Sequence, residues 1–300
     1  MGSGVRLLTR SGKGESGDKK RKKKKGREKN GFERVKNETI PETKPTEATQ
    51  RVRRAFSRAA DRYEGSGQMQ EYAAARLAEL FRRSLGGKKP RRVLEIGAGS
   101  GFLTRRLCPE VLPGGVYTAN DLTESFAHRY RSWGCAPLVG DVLQVALPQG
   151  QDAVVSSSCF QWIADLSGLF RRLAACLTEG GVLCFSTFGP EHFLQVKSLT
   201  GVGLEYPSPE RIDGELLGAG FEVGESLREK DLLRFDTAWE MLRYFSATGV
   251  NGIARPAGGL WTPGRLQDFE RRYRQRYTAS PGEPLPLTVD YLWFSARKKC

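Results

Sequence analysis

Histidine is scarce in this chain of 300 residues, which contains only two, His128 and His192. A zinc site built on imidazole and a Ser-His-Asp triad both need more histidine than this, so the composition disfavours both and we expect no metal centre. The six cysteines form no Cys-x-x-Cys pair. Because they are scattered through apolar segments, as free buried thiols are, they indicate a reducing, cytoplasmic setting.

Long apolar runs are absent as well. No stretch approaches the roughly 20 residues that a membrane-spanning helix needs, and the N-terminus lacks the apolar core of a signal peptide. Hydrophobic residues nevertheless make up 39% of the chain, and a chain of this length can bury a sizeable core. We therefore expect a globular cytoplasmic protein that is a monomer and has no membrane partner.

Positive charge is unevenly spread along the chain. Residues 1–50 carry 15 Lys and Arg against 7 Asp and Glu, and they include the run KKRKKKKGREK at Lys19–Lys29. Such a segment cannot bury enough apolar surface to offset the entropy lost on ordering. We predict a basic disordered tail over 1–50, with attachment to nucleic acid or an anionic surface as the functional alternative.

Residues 51–300 read as one domain. A helix is predicted from about Arg51 and a second at Gln68–Ser84, after which strand and helix signals alternate as far as a final strand, PLTVDYLWFSARK. This alternation predicts an α/β fold with a mostly parallel sheet and helices on both faces. Two segments, about 190–207 and 230–284, interrupt it. Insertions of that size often shape substrate sites, so we expect the second to form a helical lid before the last strand.

A glycine-rich loop follows the first strand of the alternation, in the stretch RVLEIGAGSGFLT. Its glycines, Gly97, Gly99 and Gly101, have the spacing G-x-G-x-G rather than the G-x-G-x-x-G of dinucleotide-binding loops. Glu95 stands two residues before the first glycine. A carboxylate there is a poor neighbour for a pyrophosphate but a good partner for an ammonium group. The loop therefore favours S-adenosylmethionine, which has an amino-acid end and no phosphate.

Two further acids stand at the ends of the next two predicted strands. Asp121 suits hydrogen bonds to ribose hydroxyls, and Asp141 suits the exocyclic amine of adenine. Helix capping or turn formation is the alternative reading of each, since aspartate favours both. The carboxyl ends of parallel strands lie at one edge of a sheet, where ligands bind. The residues after the two acids, Leu122 and Val142, are also predicted to contact the cofactor.

This arrangement resembles the class I S-adenosylmethionine-dependent methyltransferases from about Arg91 to Phe188 and in the order of the later elements. The resemblance implies a Rossmann-like sheet of seven strands whose last strand is antiparallel. It also implies that Tyr63 closes over the cofactor, and that Ser158 and Gln161, just past the fourth strand, contact it.

Four stretches resemble one family among these, the malonyl-acyl-carrier-protein O-methyltransferases of biotin synthesis. The stretches are AFSRAADRY (Ala55–Tyr63), SCFQW (Ser158–Trp162), RYFSATGV (Arg243–Val250) and LTVDY (Leu287–Tyr291). The resemblance covers about 51–298 and leaves the basic tail outside. It implies methyl transfer from S-adenosylmethionine to the free carboxylate of a malonyl thioester, carried by acyl carrier protein or by coenzyme A.

The resemblance also bears on the acceptor site. A malonyl carboxylate is already ionised at neutral pH, so the reaction needs positioning and desolvation rather than a strong base. An arginine can orient the carboxylate with two hydrogen bonds, and Arg243 and Arg255 are the candidates for this catalytic role. A carrier protein is acidic, so net positive charge would help to attract it.

Other functions stay open at this point. A methyltransferase acting on another small-molecule carboxylate, such as aconitate, would share the core loops, and so would the arginine-hydroxylase assembly factor of respiratory complex I. The basic tail suggests a nucleic-acid methyltransferase, but Ser156–Phe160 departs from the N/D-P-P-Y/F motif of that class, so we do not expect a nucleic-acid partner. A partner protein that keeps the fold without turnover is the non-enzymatic alternative.

Overall fold

The computed structural model describes residue 50 and residues 67–247 and 261–300, and seven strands in these ranges form one sheet. The strands are β1 (Arg92–Ile96), β2 (Val116–Asp121), β3 (Ala136–Val139), β4 (Gln151–Ser157), β5 (Leu177–Phe188), β6 (Phe221–Phe235) and β7 (Leu285–Lys298). The helices are α1 (Gln68–Ser84), α2 (Thr104–Leu107), α3 (Ala127–Ser132), α4 (Leu166–Cys176), α5 (Leu194–Thr200), α6 (Pro209–Gly218), α7 (Ala238–Ala247) and α8 (Pro263–Tyr277).

The strand order is β3-β2-β1-β4-β5-β7-β6. Strands β1 to β5 pair in parallel, whereas β7 runs antiparallel to both of its neighbours. The order reverses between β1 and β4, and ligands bind in such open sheets beyond the carboxyl ends of the strands at that point. The predicted mostly parallel α/β sheet with an antiparallel last strand is confirmed, and the glycine loop leaves β1 at the reversal.

Both faces of the sheet are covered, as the alternation of side chains along each strand requires. Val93 belongs to a core on the side of α1, where Leu77 and Phe81 are fully buried. Leu94 belongs to the core on the opposite side, with residues of α4 such as Phe170. Burial of such side chains stabilises the fold by about 1.5–3 kcal/mol each.

The insertion before the last strand contains two helices, α7 (Ala238–Ala247) and α8 (Pro263–Tyr277). The start of that insertion near 230 is wrong, because β6 continues to Phe235, paired with Leu285. Residues 230–235 contain Lys230, Asp231 and Arg234 and lack an alternating apolar pattern. Their main chain is held by the ladder to β7 instead.

Several predictions concern residues outside the described ranges. These are the basic tail over 1–50, apart from residue 50, and most of the helix predicted from about Arg51. Within the described residues, no helix is both long and apolar enough to cross a membrane.

Candidate functional site

The glycine loop after β1 has a backbone that other residues adopt only with strain. Gly97, Gly99 and Gly101 all have positive φ, at 67°, 53° and 86°. A Cβ on Gly97 would lie 2.3 Å from Cys159 Sγ, and one on Gly101 would lie 2.3 Å from the ring of Trp133. A Cβ on Gly99 would meet only the Gly97 carbonyl oxygen, at 3.9 Å. The loop is therefore packed at its two ends and open at its middle.

Glu95 lies beneath this loop and is 1% exposed. Its Oε2 accepts hydrogen bonds from Thr104 Oγ1 at 2.6 Å and from the Tyr117 hydroxyl at 2.7 Å. Burial raises the pKa of Glu95 from 4.5 to about 7, and the two hydrogen bonds oppose this shift in pKa. The carboxyl group is thus held in place by β2 and α2, and its charge changes near neutral pH.

Asp121, at the end of β2, joins the second strand to the glycine loop. Its Oδ2 accepts a hydrogen bond from the Gly99 amide at 2.9 Å, and its Oδ1 accepts from the amide and the hydroxyl of Thr123. Burial raises the pKa of this carboxyl despite those bonds. The Tyr130 hydroxyl donates to the Gly99 carbonyl oxygen at 2.6 Å. The main chain at Gly99, in the open middle of the loop, is therefore held through its amide by Asp121 and through its carbonyl oxygen by Tyr130.

Asp141, after β3, accepts a hydrogen bond from the Leu143 amide through Oδ1 at 2.9 Å. This is the turn-forming role that the sequence left as an alternative. Arg172 of α4 holds the same loop, since it donates to the carbonyl oxygens of Val142, at 3.1 Å, and Val145, at 2.6 Å. Val142 is buried, and Leu122, after Asp121, is partly exposed.

The charges of all three predicted acids act on the thiol of Cys159. The pKa of this thiol is raised to about 12, first by burial and then by the charge of Asp121, with smaller contributions from Asp141 and Glu95. Cys159 also packs against Gly97. The three acids come from the ends of β1 and β2 and from the loop after β3, at the carboxyl edge of the sheet.

Ser158 and Gln161 follow β4 at the same edge. Ser158 is one of two described non-glycine residues with positive φ, at 53°, and its amide donates to the Ser186 carbonyl oxygen at 3.0 Å. Gln161 Nε2 donates to the Ser158 carbonyl oxygen at 2.7 Å, and Gln161 Oε1 lies 3.4 Å from Thr187 Oγ1. Backbone strain of this kind is common where a structure positions a ligand contact.

Two buried hydroxyls near the loop have no partner among the described residues. They are Ser158 Oγ, beyond β4, and Ser100 Oγ, inside the glycine loop. A buried hydroxyl without a hydrogen bond is costly, and such groups are often satisfied by a ligand or an ordered water. Together with the open face of Gly99, they give the site donors and acceptors that fit a nucleoside bearing an amino-acid chain.

Three of the predicted site residues, Tyr63, Arg243 and Arg255, remain predictions. Arg243 lies on the exposed side of α7, and nothing in the described contacts tests its role. Tyr63 and Arg255 lie outside the described residues.

Sequence reasoning missed the groups that support the site. These are Thr104, Tyr117, Tyr130 and Arg172. Thr104 ends the quoted glycine-rich stretch and the other three lie outside it, and only the tertiary structure shows which atoms they hold.

A buried aromatic cluster lies just beyond the carboxyl end of β5. His192 is 2% exposed and stacks on Phe188 and Phe193, with ring centroids 3.9 and 3.8 Å apart. Its Nδ1 lies 3.4 Å from the Asp290 amide, and burial lowers its pKa well below the ordinary value. The imidazole is therefore neutral and packs as one member of this apolar cluster.

The Asp290 side chain anchors the same segment. Its carboxylate is fully buried and makes two hydrogen bonds of 2.8 Å to the Arg228 guanidinium. It also accepts from the Glu191 amide at 3.0 Å, and the Gly189 amide donates to the Asp290 carbonyl oxygen at 2.8 Å. The turn after β5 is thus tied to β6 and β7.

The sheet order, the G-x-G-x-G loop and the carboxylates at successive strand ends define a class I S-adenosylmethionine-dependent methyltransferase. Residues 94–183 match the family model described as a methyltransferase domain. A malonyl-[acyl-carrier protein] O-methyltransferase of Chlorobium luteolum is 35% identical over 257 residues, which are 83% of this chain and 95% of that protein. One from Porphyromonas gingivalis is 31% identical, over 82% and 94%. The chain belongs to the malonyl-[acyl-carrier protein] O-methyltransferase family.

Solved structures agree on the fold. A putative methyltransferase from Bacillus halodurans superimposes with a TM-score of 0.56 at 16% sequence identity, over 75% of this chain and 99% of that one. At such low identity the likeness supports the architecture alone.

Proposed function

We propose that this protein transfers the methyl group of S-adenosylmethionine to the free carboxylate of a malonyl thioester. The observation that carries the proposal is the glycine loop at the reversal of strand order, whose open middle at Gly99 is held by a hydrogen bond to Asp121. The matched relatives are named for this reaction on malonyl-carrier protein. The product, a malonyl methyl ester, would serve as a primer for pimelate formation in biotin synthesis.

The residues present fit the cofactor. S-Adenosylmethionine supplies an activated methyl group bound to a positively charged sulfur. Glu95 would attract its ammonium group, directly or through water, and Asp121 would accept hydrogen bonds from its ribose hydroxyls. Asp141, Leu122 and Val142 would lie around the adenine. The unpartnered hydroxyls of Ser100 and Ser158 are further groups that it could satisfy.

The acceptor makes modest demands on the protein. Its carboxylate is ionised at neutral pH, so no side chain has to remove a proton before the oxygen attacks the methyl carbon. Catalysis then comes from alignment and from exclusion of water, and effective concentrations of well-oriented groups are large. The neutral His192 and its aromatic neighbours would provide an apolar surface that excludes water from the acceptor. Arg243 or Arg255 would orient the carboxylate.

A methyl-transfer assay with three acceptors tests the proposal. Malonyl-carrier protein, malonyl-CoA and free malonate are compared at equal concentration with labelled cofactor. We expect the highest kcat/KM with malonyl-carrier protein and the lowest with free malonate. Equal rates with all three would rule out recognition of the carrier, and no transfer to any of them would reject the activity.

A further inference from the structure

Helix α8 presents a strongly basic surface to solvent. The basic face consists of three exposed arginines, Arg271, Arg272 and Arg276. The opposite side of the helix is buried through Phe269 and Tyr273.

The helix itself carries few acids to offset this charge. Asp268 is the one exposed acid on the helix, and it pairs with both Arg271 and Arg272. Glu270 is turned inward and is paired with Arg274 at 2.7 Å. The solvent face of the helix therefore keeps a clear positive excess.

The helix lies at the same edge of the sheet as the glycine loop. Helix α5 begins six residues after β5 ends, at the carboxyl edge, and α8 packs on it. Arg272 donates to the Leu199 carbonyl oxygen at 3.3 Å, and the hydroxyls of Ser198 and Tyr277 are 2.5 Å apart. The Tyr273 hydroxyl also donates to Pro286, at the start of β7, at 2.6 Å.

An exposed aromatic residue flanks α8. Trp239, at the start of α7, is 58% exposed. The beginning of α7 is attached to α8, because the amide of the preceding residue, Ala238, donates to Glu270 at 2.9 Å. Trp and Arg are both enriched at protein interfaces, so an exposed Trp on the helix next to α8 is compatible with one.

We infer that the basic face of α8 is the docking surface for the acidic protein that carries the thioester. This inference rests on the proposed function. Charge complementarity favours an acidic partner, and a carrier docked at the carboxyl edge could extend its prosthetic arm into the site. The charges would act mainly on encounter and register, with the thioester itself bound deeper.

Two charge-reversed variants distinguish an effect of this surface from an effect of the protein's net charge. R271E/R276E alters the basic face but keeps Arg272, whose bond to Leu199 holds α5. K88E/K89E makes the same change in charge at two exposed lysines just before β1, at the opposite edge of the sheet. R271Q/R276Q provides a milder form if the reversed helix fails to fold. Thermal unfolding checks each variant.

Each variant is assayed with malonyl-carrier protein and with malonyl-pantetheine, which lacks the carrier. We expect R271E/R276E to lower kcat/KM for the carrier substrate by about tenfold at low salt, mainly through KM, because electrostatic steering changes association by that order or more. Activity with malonyl-pantetheine should stay within about twofold, as single rim charges act on encounter. K88E/K89E should match the wild type with both substrates.

Direct binding of malonyl-carrier protein is measured as well, which keeps this test separate from turnover. Loss of binding in R271E/R276E alone supports the docking surface even if no methyl transfer is found. Unchanged binding, an equal loss with both substrates, or an equal loss in K88E/K89E would overturn it. Competition by a single-stranded oligonucleotide for the same arginines, with no carrier binding, would overturn it in favour of nucleic acid.

Discussion

The thiol of Cys159 lies against the α-carbon of Gly97, so close that a Cβ on the glycine would come within 2.3 Å of the sulfur. The contact joins the end of β1 to the turn after β4, across the point where the strand order reverses. Cys159 thus fills the space between the glycine loop and the turn after β4, and its raised pKa makes it a poor nucleophile.

Gly97→Ala should therefore destabilise the protein by more than the backbone strain of a positive φ alone. Gly114→Ala is the matched control, because Gly114 also has positive φ, 75°, but has nothing within 4 Å of the added Cβ. We expect the control to lose about 1–2 kcal/mol of stability from strain alone. G97A should lose more and should also weaken S-adenosylhomocysteine binding by at least about tenfold, since overpacking adds further strain. Equal effects of the two variants on stability and affinity would contradict this packing.

The pH dependence of stability should report the titration of Glu95. Its folded pKa, about 7, lies above its ordinary value of 4.5. The stability that it contributes is therefore fully present below pH 4.5 and is lost as the pH rises through 7. Urea unfolding should show the stability of the wild type falling relative to Glu95→Gln over this range. A difference that stays constant with pH would contradict the raised pKa.

Cofactor affinity should have the opposite pH dependence. The ionised Glu95 carboxylate would attract the ammonium group of the ligand, so affinity of the wild type for S-adenosylhomocysteine should rise between about pH 6 and 8. Calorimetry on Glu95→Gln should give a flat profile over the same range. A rise of equal size in the variant would show that another group is responsible.

Arg172 should act on cofactor binding without touching the cofactor. Arg172→Ala removes two hydrogen bonds to the loop that carries Asp141 and Val142, and bonds from a charged donor contribute about 1.5–3 kcal/mol each. We expect S-adenosylhomocysteine affinity to fall about tenfold, with less effect on KM for the acceptor. Arg171→Ala is the control, since Arg171 is exposed and donates only to Ser167. Equal affinities in the two variants would show that the loop does not need this anchor.

Loss of Arg228 should leave the buried carboxylate of Asp290 without its counter-charge. Removing one partner of a buried ion pair costs about 3–5 kcal/mol, and we expect about 2–3 kcal/mol for Arg228→Ala because its side chain is 37% exposed. The double variant R228A/D290N should recover part of this loss. Arg83→Ala breaks an exposed pair with Glu225 and should cost less than about 1 kcal/mol. Similar losses in R228A and R83A would contradict the buried-pair interpretation.

The parts of this site that could be predicted from the sequence are those that depend on local order along the chain. Glu95, Asp121 and Asp141 each end a strand signal, and parallel strands bring such ends to one edge. The glycine spacing likewise reflects backbone angles that belong to the loop itself. Both features can be predicted without knowing how the helices pack against the sheet.

The parts that were missed depend on contacts between distant segments. Arg172 is one of many arginines in the sequence, and only the packing of α4 brings it to the Asp141 loop. The insertion is predicted to begin near residue 230 because residues 230–235 lack apolar alternation, whereas their strand conformation comes from pairing with β7. The acceptor-orienting arginine is still a prediction, since Arg243 is exposed and Arg255 is outside the described residues.

The most direct test of the central claim is to locate the transferred methyl group. The protein is incubated with malonyl-carrier protein and S-adenosylmethionine bearing a deuterated methyl, and the acyl group is analysed by mass spectrometry. We predict one labelled methyl on the free carboxylate of the malonyl group, and none when the carrier bears an acetyl group instead. A label on the protein, on the carrier's side chains or on the acetyl-carrier control, with no methyl ester of malonate, would contradict it.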